Sequence, residues 1–130
     1  MRGVRVAVVG SRNADESCYS LVCRHIPCNA SEIVSGGAAG IDSLARQYAN
    51  AQNLPLRVIR PDYTGRELYE KRRAPLARNR KIVEYADVVI AFWDGKSSGT
   101  AYTIEYARKG GKPVQVILIK KEQYAEHTSE

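Results

Sequence analysis

Hydrophobic and polar positions follow two distinct patterns along the chain, one typical of strands and one typical of helices. Two nearly continuous apolar runs, at residues 4–10 and 86–95, are typical of parallel strands that are covered on both faces. Shorter apolar runs at residues 32–37, 54–61 and 113–119 are bounded by glycine or proline. The pattern therefore predicts five strands.

Between these runs, apolar residues recur at the spacing of amphipathic helices. In residues 41–49 they occupy positions i, i+3, i+4, i+7 and i+8. Further helices are predicted at residues 15–26, 65–85 and 99–108, and Pro75 is expected to break the segment 65–85 into two helices or a helix and a turn. Strands that alternate with helices predict an α/β fold, in which right-handed crossovers join a five-stranded parallel sheet with helices on both sides.

The loops after four of the predicted strands carry unusual residues. They read "GSR" at 10–12, "SGGAAGID" at 35–42, "PDY" at 61–63 and "WDGKSSGT" at 93–100. A parallel sheet binds ligands at the carboxyl ends of its strands, where the strand order reverses. Four such loops at one edge of the sheet favour a ligand site over simple turn geometry.

The glycine cluster after the second strand is the most conspicuous of these loops. Gly36, Gly37 and Gly40 have no Cβ, so a bulky group can approach their backbone closely. The helix that follows offers unpaired N–H groups and a positive dipole end, which favour an anion such as phosphate. A valine at Gly37 is then expected to block the ligand without disturbing the fold. The alternative is that these glycines serve the geometry of a tight turn alone.

Length and composition limit the domain organisation. With 130 residues, 44% of them hydrophobic, the chain is long enough for one domain with a core and too short for two. We expect a single ligand-binding domain at residues 1–120 and a polar tail at 121–130. No apolar run reaches the length of a membrane span and the N-terminus does not resemble a signal peptide, which predicts a cytoplasmic protein with no membrane partner.

The net charge and the cysteines are less informative about the ligand. A formal charge of +6 suits an anionic ligand or nucleic acid, but it is also common on proteins with neither partner. Cys18, Cys23, His25 and Cys28 supply four soft ligands within a short span, yet Cys23 falls on a different helical face from Cys18 and His25. Because a tetrahedral zinc site needs ligands that converge, we expect no metal and no cofactor, and reduced thiols that are buried or half-buried.

The segment from Arg66 to Lys81 has the strongest local charge bias, with seven basic residues against two glutamates. It could contact a nucleic-acid backbone, form a wall around an anionic ligand, or be a solvated helix face. These alternatives remain open from the sequence.

The motifs taken together resemble the SLOG superfamily. "GSR", "SGGAAGIDSLA", "ARNRKIVEYADVVIAFWDGKSSGT" and "YARKGGKPV" occur in the order found in that superfamily, which groups the DNA-processing protein A family, the "lonely guy" phosphoribohydrolases and small stand-alone proteins. This chain looks most like the stand-alone set. The resemblance implies a Rossmann-like three-layer sandwich and a pocket for a nucleotide or nucleotide-derived ligand.

Site residues follow from the loops and from this resemblance. Arg12 can donate two hydrogen bonds to a phosphate, and Asp42 can accept a hydrogen bond from a ribose hydroxyl or cap its helix. Trp93 or Tyr63 can stack on a base. The predicted ligand-binding residues are Gly10, Ser11, Arg12, Ser35, Gly36, Gly37, Ala38, Gly40, Asp42, Arg78, Asn79, Trp93, Asp94, Ser97, Ser98, Gly99 and Thr100.

The prediction about catalysis depends on the residue at one position. The phosphoribohydrolase relatives carry a glutamate three residues after the threonine of a Gly-Thr pair, and the matching residue here is Thr103. Glu105 lies about 200° further round a helix and is a poor substitute. The prediction is therefore ligand binding or sensing without catalysis. A hydrolase of nucleoside 5′-monophosphates that uses Asp42, Asp94 or Glu105, and a DNA-binding module, are the alternatives. The resemblance also implies a homo-oligomer, such as a dimer.

Overall fold

The computed structural model describes residues 3–64 and 68–120 and contains one five-stranded parallel sheet. The strands are ordered β3-β2-β1-β4-β5, and each pairs in parallel with its neighbours. The α/β fold predicted from the sequence is thereby confirmed. The strands are β1 (Val4–Gly10), β2 (Ala30–Ser35), β3 (Leu56–Val58), β4 (Val88–Trp93) and β5 (Val114–Leu118).

Four α-helices cover the two faces of the sheet. A 3-10 turn (Glu16–Cys18) leads into α1 (Tyr19–His25), and α2 (Ile41–Ala51), α3 (Leu68–Tyr85) and α4 (Ser98–Lys109) follow. Apolar residues of α1 and α2 pack on one face of the sheet, and those of α3 and α4 pack on the other. The result is the expected three-layer sandwich. No helix in the described ranges combines the length and the apolar character needed to cross a bilayer.

The central strand β1 shows how the sequence produces these layers. Val6 and Val8 point into the core beneath α1 and α2, whereas Ala7 points towards α3 and α4. All three are fully buried. Because successive side chains of a strand face opposite sides, a continuous apolar run is what a strand covered on both faces requires.

Two predictions about helices need correction. The helix α3 continues through Pro75, so the expected break is wrong. A proline costs a helix one backbone hydrogen bond, but Ala74, Ile82 and Val83 on either side of it are buried, and this packing holds the helix together. The predicted helix at 15–26 divides into the 3-10 turn and α1, because Asp15 accepts a hydrogen bond from the amide of Ser17 and starts a tighter turn.

The thiols are less uniformly buried than predicted. Cys18 is fully buried, and this burial raises the pKa of its thiol. Cys23 is half-buried, whereas Cys28 is exposed. Cys28 follows the end of α1, where the chain turns towards β2 on the surface.

Tyr85, at the end of α3, contacts side chains from three strands. The guanidinium groups of Arg5 and Arg57 lie 4.6 and 4.8 Å from the centre of the Tyr85 ring. The hydroxyl of Tyr85 donates to Glu32, and Arg5 also pairs with Asp87. These contacts fix the last turn of α3 against three strands, and the same helix carries Arg78 and Asn79 towards the opposite edge of the sheet.

The strand order places the topological switch between β1 and β4. From β1 the chain proceeds to β2 and β3 on one side, and β4 and β5 lie on the other. The crevice above the carboxyl ends of β1 and β4 is where such a sheet binds ligands.

Candidate functional site

A cavity of about 540 Å³ lies at this switch point. Its volume is within the range of small-molecule sites. The lining residues are Val9, Gly10, Ser11, Arg12, Asn13, Gly36, Ala38, Asp42, Pro75, Leu76, Arg78, Asn79, Ile82, Ser97, Ser98, Gly99, Thr100 and Thr103. Twelve of these residues were predicted from the sequence, whereas Ser35, Gly37, Gly40, Trp93 and Asp94 do not line the cavity.

The loop after β1 joins the two helix starts that face the cavity. The carbonyl of Ser11 accepts a hydrogen bond of 3.1 Å from the amide of Ile41, at the start of α2. Its hydroxyl lies 3.3 Å from that of Ser97, just before α4. Ser11 is almost fully buried, so it acts as a bridge beneath the cavity.

The glycines of the cluster have mainly a structural role. Gly40 has φ of 70°, and a Cβ there would lie 2.3 Å from the carbonyl oxygen of Ser11. Gly37 has φ of 76°, and a Cβ there would lie 2.8 Å from Cγ1 of Val58, away from the cavity. Gly37→Val would therefore strain the fold, contrary to the sequence-based expectation.

Half of the amides in residues 36–43 are already hydrogen-bonded within the protein. The amide of Gly37 donates to the hydroxyl of Ser35, and the amide of Ala38 donates to Oδ2 of Asp42. Those of Ile41 and Ser43 donate to backbone carbonyls. Three residues of this loop line the cavity; the Ala38 amide is bonded, whereas those of Gly36 and Asp42 have no acceptor in the described part of the chain. The loop is thus a weaker anion site than its sequence suggested.

Asp42 accounts for this difference. Its half-buried carboxylate lies in the first turn of α2, where it faces the positive end of the helix dipole. Burial raises the pKa of Asp42, although the Ala38 amide and the charge of Arg78 favour the ionised form. The negative charge that this helix start attracts is supplied by the protein itself.

The start of α4 differs in the residues of its first turn and in its free amides. No acidic residue occupies its first turn, and the N-cap residue Ser97 makes no side-chain capping bond. Within the described residues, the amides of Ser98, Gly99 and Thr100 have no acceptor, and all three residues line the cavity. Three consecutive free amides at the positive end of a 12-residue helix are an arrangement that favours an anion.

Trp93 and Asp94 position this helix start without lining the cavity. The indole Nε1 of Trp93 donates to the carbonyl of Ser97 over 3.0 Å. Oδ1 of Asp94 accepts from the amides of Lys96 and Ser97, and Oδ2 accepts from the Ser97 hydroxyl. Burial opposes ionisation of Asp94, but these hydrogen bonds outweigh it and lower its pKa. Stacking of Trp93 on a base is not supported by this arrangement.

Arg78 is a buried cation at the β2 side of the cavity, with a side chain only 6% exposed. Its Nη1 donates to the carbonyl of Gly36 over 2.6 Å and more weakly to that of Ile59, and its Nε donates to Oδ1 of Asn79 over 2.8 Å. No described residue accepts a hydrogen bond from Nη2. Burial lowers the pKa of Arg78, although Asp42 favours its charged form.

Charges around the cavity leave it positive. Arg12, which is exposed at the cavity wall, lies within electrostatic range of both Asp42 and Arg78. Two arginines against one carboxylate give this group one net positive charge. A negatively charged ligand is therefore favoured here.

The apolar wall of the cavity comes from β1 and α3. Val9, Pro75, Leu76 and Ile82 line it. Sequence reasoning missed these residues as site residues, although Pro75, Arg78, Asn79 and Ile82 are spaced i, i+3, i+4 and i+7 and so share a helix face. This shared helix face could have identified Pro75 and Ile82 as site residues from the sequence.

The two residues relevant to the catalytic alternative, Thr103 and Glu105, have different surroundings. Thr103 is buried in the cavity wall and donates its hydroxyl hydrogen bond to the carbonyl of Gly99. Glu105 lies outside the cavity and pairs with Lys109 on the surface of α4. Among the described lining residues, Asp42 is the one carboxylate.

The basic segment does not form one uniform surface. Arg66 lies outside the described residues, Arg78 is buried, and Arg80 donates to the hydroxyl of Tyr102. Lys81 is exposed. Tyr63, with 54% of its surface exposed, lies in the loop after β3 and does not line the cavity.

Comparison with known proteins agrees with the fold. The family model for DNA recombination-mediator protein A matches residues 2–64, just under half of the chain. The chain is related to the SLOG superfamily. No curated protein matches the sequence.

Solved structures of SLOG-related proteins share the fold. DNA processing protein A from Streptococcus pneumoniae matches over 91% of this chain with a TM-score of 0.71 and 22% identity. The chain covers 51% of that protein, about half its length. The Helicobacter pylori protein, described for its single-stranded DNA binding mode, matches over 93% of this chain and 68% of its own, with a TM-score of 0.69 and 23% identity. A structural-genomics target, TM1055, matches over 85% of this chain and 72% of its own, with a TM-score of 0.59 and 24% identity.

Proposed function

We propose that this chain binds a nucleotide or nucleotide-derived ligand in the cavity above β1 and β4, with a phosphate group at the start of α4. The observation that carries the proposal is the row of free amides at Ser98, Gly99 and Thr100, which faces the same cavity as Arg78. Phosphate binds readily to such a helix start. The apolar wall of Pro75, Leu76 and Ile82 suits a nucleobase or sugar.

A nucleic-acid backbone is the second candidate. The related Helicobacter pylori protein is described as binding single-stranded DNA, and this chain carries a net charge of +6. The same amides would then hold one phosphate of the strand. Both candidates place a phosphate at the start of α4, and they differ in whether affinity grows with the length of the strand and falls steeply with salt.

The absence of a carboxylate at Thr103 supports binding without hydrolysis. The hydroxyl of Thr103 is engaged with the carbonyl of Gly99, and Glu105 points to solvent beside Lys109. A stabilising or attacking carboxylate at the anomeric carbon would have to come from Asp42, which is already bonded to the Ala38 amide.

Proline at Ser98 tests the role of the amides. Ser98 is the first residue of α4, and Ser97 before it has φ of −60° and ψ of 119°, a conformation that a following proline accepts. Ser98→Pro removes one free N–H and leaves the helix intact. In titration calorimetry with adenosine 5′-monophosphate, we expect a loss of about 10- to 100-fold in affinity, the value of one hydrogen bond to a charged group.

Ser98→Ala is the matched control, because it removes the same hydroxyl but keeps the amide. We expect it to lose less than about threefold in affinity. Equal losses in both variants would show that the amide does not bind phosphate. No binding by the wild type at millimolar nucleotide would refute the proposed function itself.

A further inference from the structure

The cavity contains a second group of hydrogen-bond donors, separate from the start of α4. Arg78 is fixed by the carbonyls of Gly36 and Ile59, which leaves its Nη2 at the cavity. Arg78 as a whole is only 6% exposed, and its Nη2, which has no acceptor among the described residues, keeps its accessible surface at the cavity, where a ligand can accept its hydrogen bonds.

Asn79 adds donors of fixed orientation. Its Oδ1 accepts the hydrogen bond from Nε of Arg78, which turns the amide oxygen towards Arg78. The orientation of an Asn amide follows from such a network. The NH₂ group has no acceptor among the described residues, and Asn79 lines the cavity. Asn79 therefore has two N–H donors available to a ligand.

Arg12 completes this second group. It lines the cavity and is within electrostatic range of Arg78 and Asp42. Against the two arginines stands the single carboxylate of Asp42, which leaves one net positive charge on this side. Donors with a net positive charge bind oxyanions.

The sheet gives the separation between the two groups. The contact of Ser97 with Ser11 places the start of α4 above the boundary of β4 and β1, and the bonds of Arg78 to Gly36 and Ile59 place its guanidinium above the boundary of β2 and β3. These boundaries are two strand positions apart. Since neighbouring strands lie about 4.8 Å apart, the two groups are separated by roughly 10 Å, less the reach of Nη2 into the cavity.

We propose that the ligand carries two phosphate groups separated by one nucleoside, with one phosphate at the amides of Ser98–Thr100 and the other at Arg12, Arg78 and Asn79. The inference rests on the proposed function and deepens it. In a nucleoside diphosphate the two phosphorus atoms share one bridging oxygen, which is too short for this separation. A nucleoside 3′,5′-bisphosphate spans it across the sugar. One nucleotide of a single strand, with its two flanking phosphates, has the same chemistry.

The test compares three ligands by titration calorimetry at constant ionic strength: adenosine 5′-monophosphate, adenosine diphosphate and adenosine 3′,5′-bisphosphate. We expect the bisphosphate to bind at least about tenfold more tightly than the monophosphate, since it gains hydrogen bonds to charged groups. The diphosphate should gain less than about threefold. A diphosphate that equals or exceeds the bisphosphate would overturn the inference.

Asn79→Asp removes the second group with little change of shape. The new carboxylate still accepts the bond from Arg78, so the fold is preserved, but it replaces the NH₂ donors by a negative charge. We expect the advantage of the bisphosphate over the monophosphate to disappear. Asn50→Asp, on the exposed face of α2, alters net charge equally and should keep the advantage. An unchanged advantage in Asn79→Asp would contradict the inference.

Two further titrations distinguish a free nucleotide from a nucleic-acid strand as the ligand. Together with the experiments above, they also distinguish failure of this inference from failure of the proposed function. A 5′-phosphorylated deoxyadenosine dinucleotide and a ten-nucleotide strand are titrated at two salt concentrations. Similar affinities at both lengths indicate a free bisphosphate nucleotide, and a steep rise with length indicates a strand. If the monophosphate binds and is weakened by Ser98→Pro, but the bisphosphate has no advantage, this inference fails and the proposed function stands. If none of the ligands binds, both fail.

Discussion

Nη1 of Arg78 donates a hydrogen bond of 2.6 Å to the carbonyl of Gly36, 42 residues away in sequence. This contact ties the middle of α3 to the loop after β2 and closes one side of the cavity. A Cβ at Gly36 would lie 2.6 Å from the same Nη1, so glycine is needed for the approach. The arginine is therefore part of the wall as well as a donor to the ligand.

Replacing Arg78 should reveal its electrostatic interaction with Asp42. In Arg78→Met the Asp42 carboxylate loses a nearby positive charge and the Gly36 carbonyl loses its hydrogen bond, and we expect the free energy of unfolding to fall by roughly 1–3 kcal/mol. In the double variant with Asp42→Asn, much of this loss should be recovered. Urea denaturation of the wild type, both single variants and the double variant gives the coupling directly, and strict additivity would contradict an interaction.

Gly40 and Gly95 provide a matched test of close packing. Both have positive φ, 70° and 81°, so alanine strains the backbone at either position by about 1–2 kcal/mol. A Cβ at Gly40 would in addition meet the backbone of Ser11 and Arg12 within 2.5 Å, whereas one at Gly95 meets nothing within 4 Å. We expect Gly95→Ala to fold with a modest loss of melting temperature and Gly40→Ala to be severely destabilised. Comparable melting temperatures would be inconsistent with the packing described.

The stability of the protein should depend on pH through Asp42. Burial raises its pKa above the ordinary value of 3.8, so the native state binds this proton more tightly than the unfolded state. The contribution of Asp42 to stability is thus highest at low pH and declines as pH rises from 3.8 through the folded pKa. The free energy of unfolding of the wild type minus that of Asp42→Asn should fall across this window. A difference that rises with pH would contradict the assigned direction.

Catalysis through Glu105 is not expected. Because Glu105 is exposed and paired with Lys109, Glu105→Gln should leave nucleotide affinity within about twofold of the wild type. Neither protein should release free base from nucleoside 5′-monophosphates, as measured by chromatography of the incubation mixture. Base release that survives purification and is lost in Glu105→Gln would restore the hydrolase alternative.

The layers of the fold could be predicted from the sequence because each apolar run has one dominant environment. The run of β1 is apolar at every core position, and its bounds, Val4–Gly10, were predicted correctly. The run around β3 was predicted too long, since only Leu56–Val58 pairs with β2. Pro75 misled the helix prediction because local propensity was weighed without the packing of Ile82 and Val83.

The site could be predicted only in outline. The loops at the carboxyl ends were found because their position follows from the alternation of strands and helices. Sequence alone could not show that the Asp42 carboxylate already accepts the Ala38 amide, or that Trp93 turns its indole to Ser97. Both depend on the direction of a side chain after folding. Both helix starts follow small-residue loops, and they differ in the acidic residue of the first turn, which the sequence shows, and in their hydrogen bonds, which it does not.

Nuclear magnetic resonance of isotope-labelled protein, titrated with adenosine 5′-monophosphate, tests the central claim most directly. It reports each backbone amide separately, so it distinguishes the start of α4 from the glycine loop. We predict that the amides of Ser98, Gly99 and Thr100 show the largest shifts and share one dissociation constant, while those of Gly37 and Ala38, which are bonded to Ser35 and Asp42, move little. Large shifts across the glycine loop, with Ser98–Thr100 unchanged, would contradict the account.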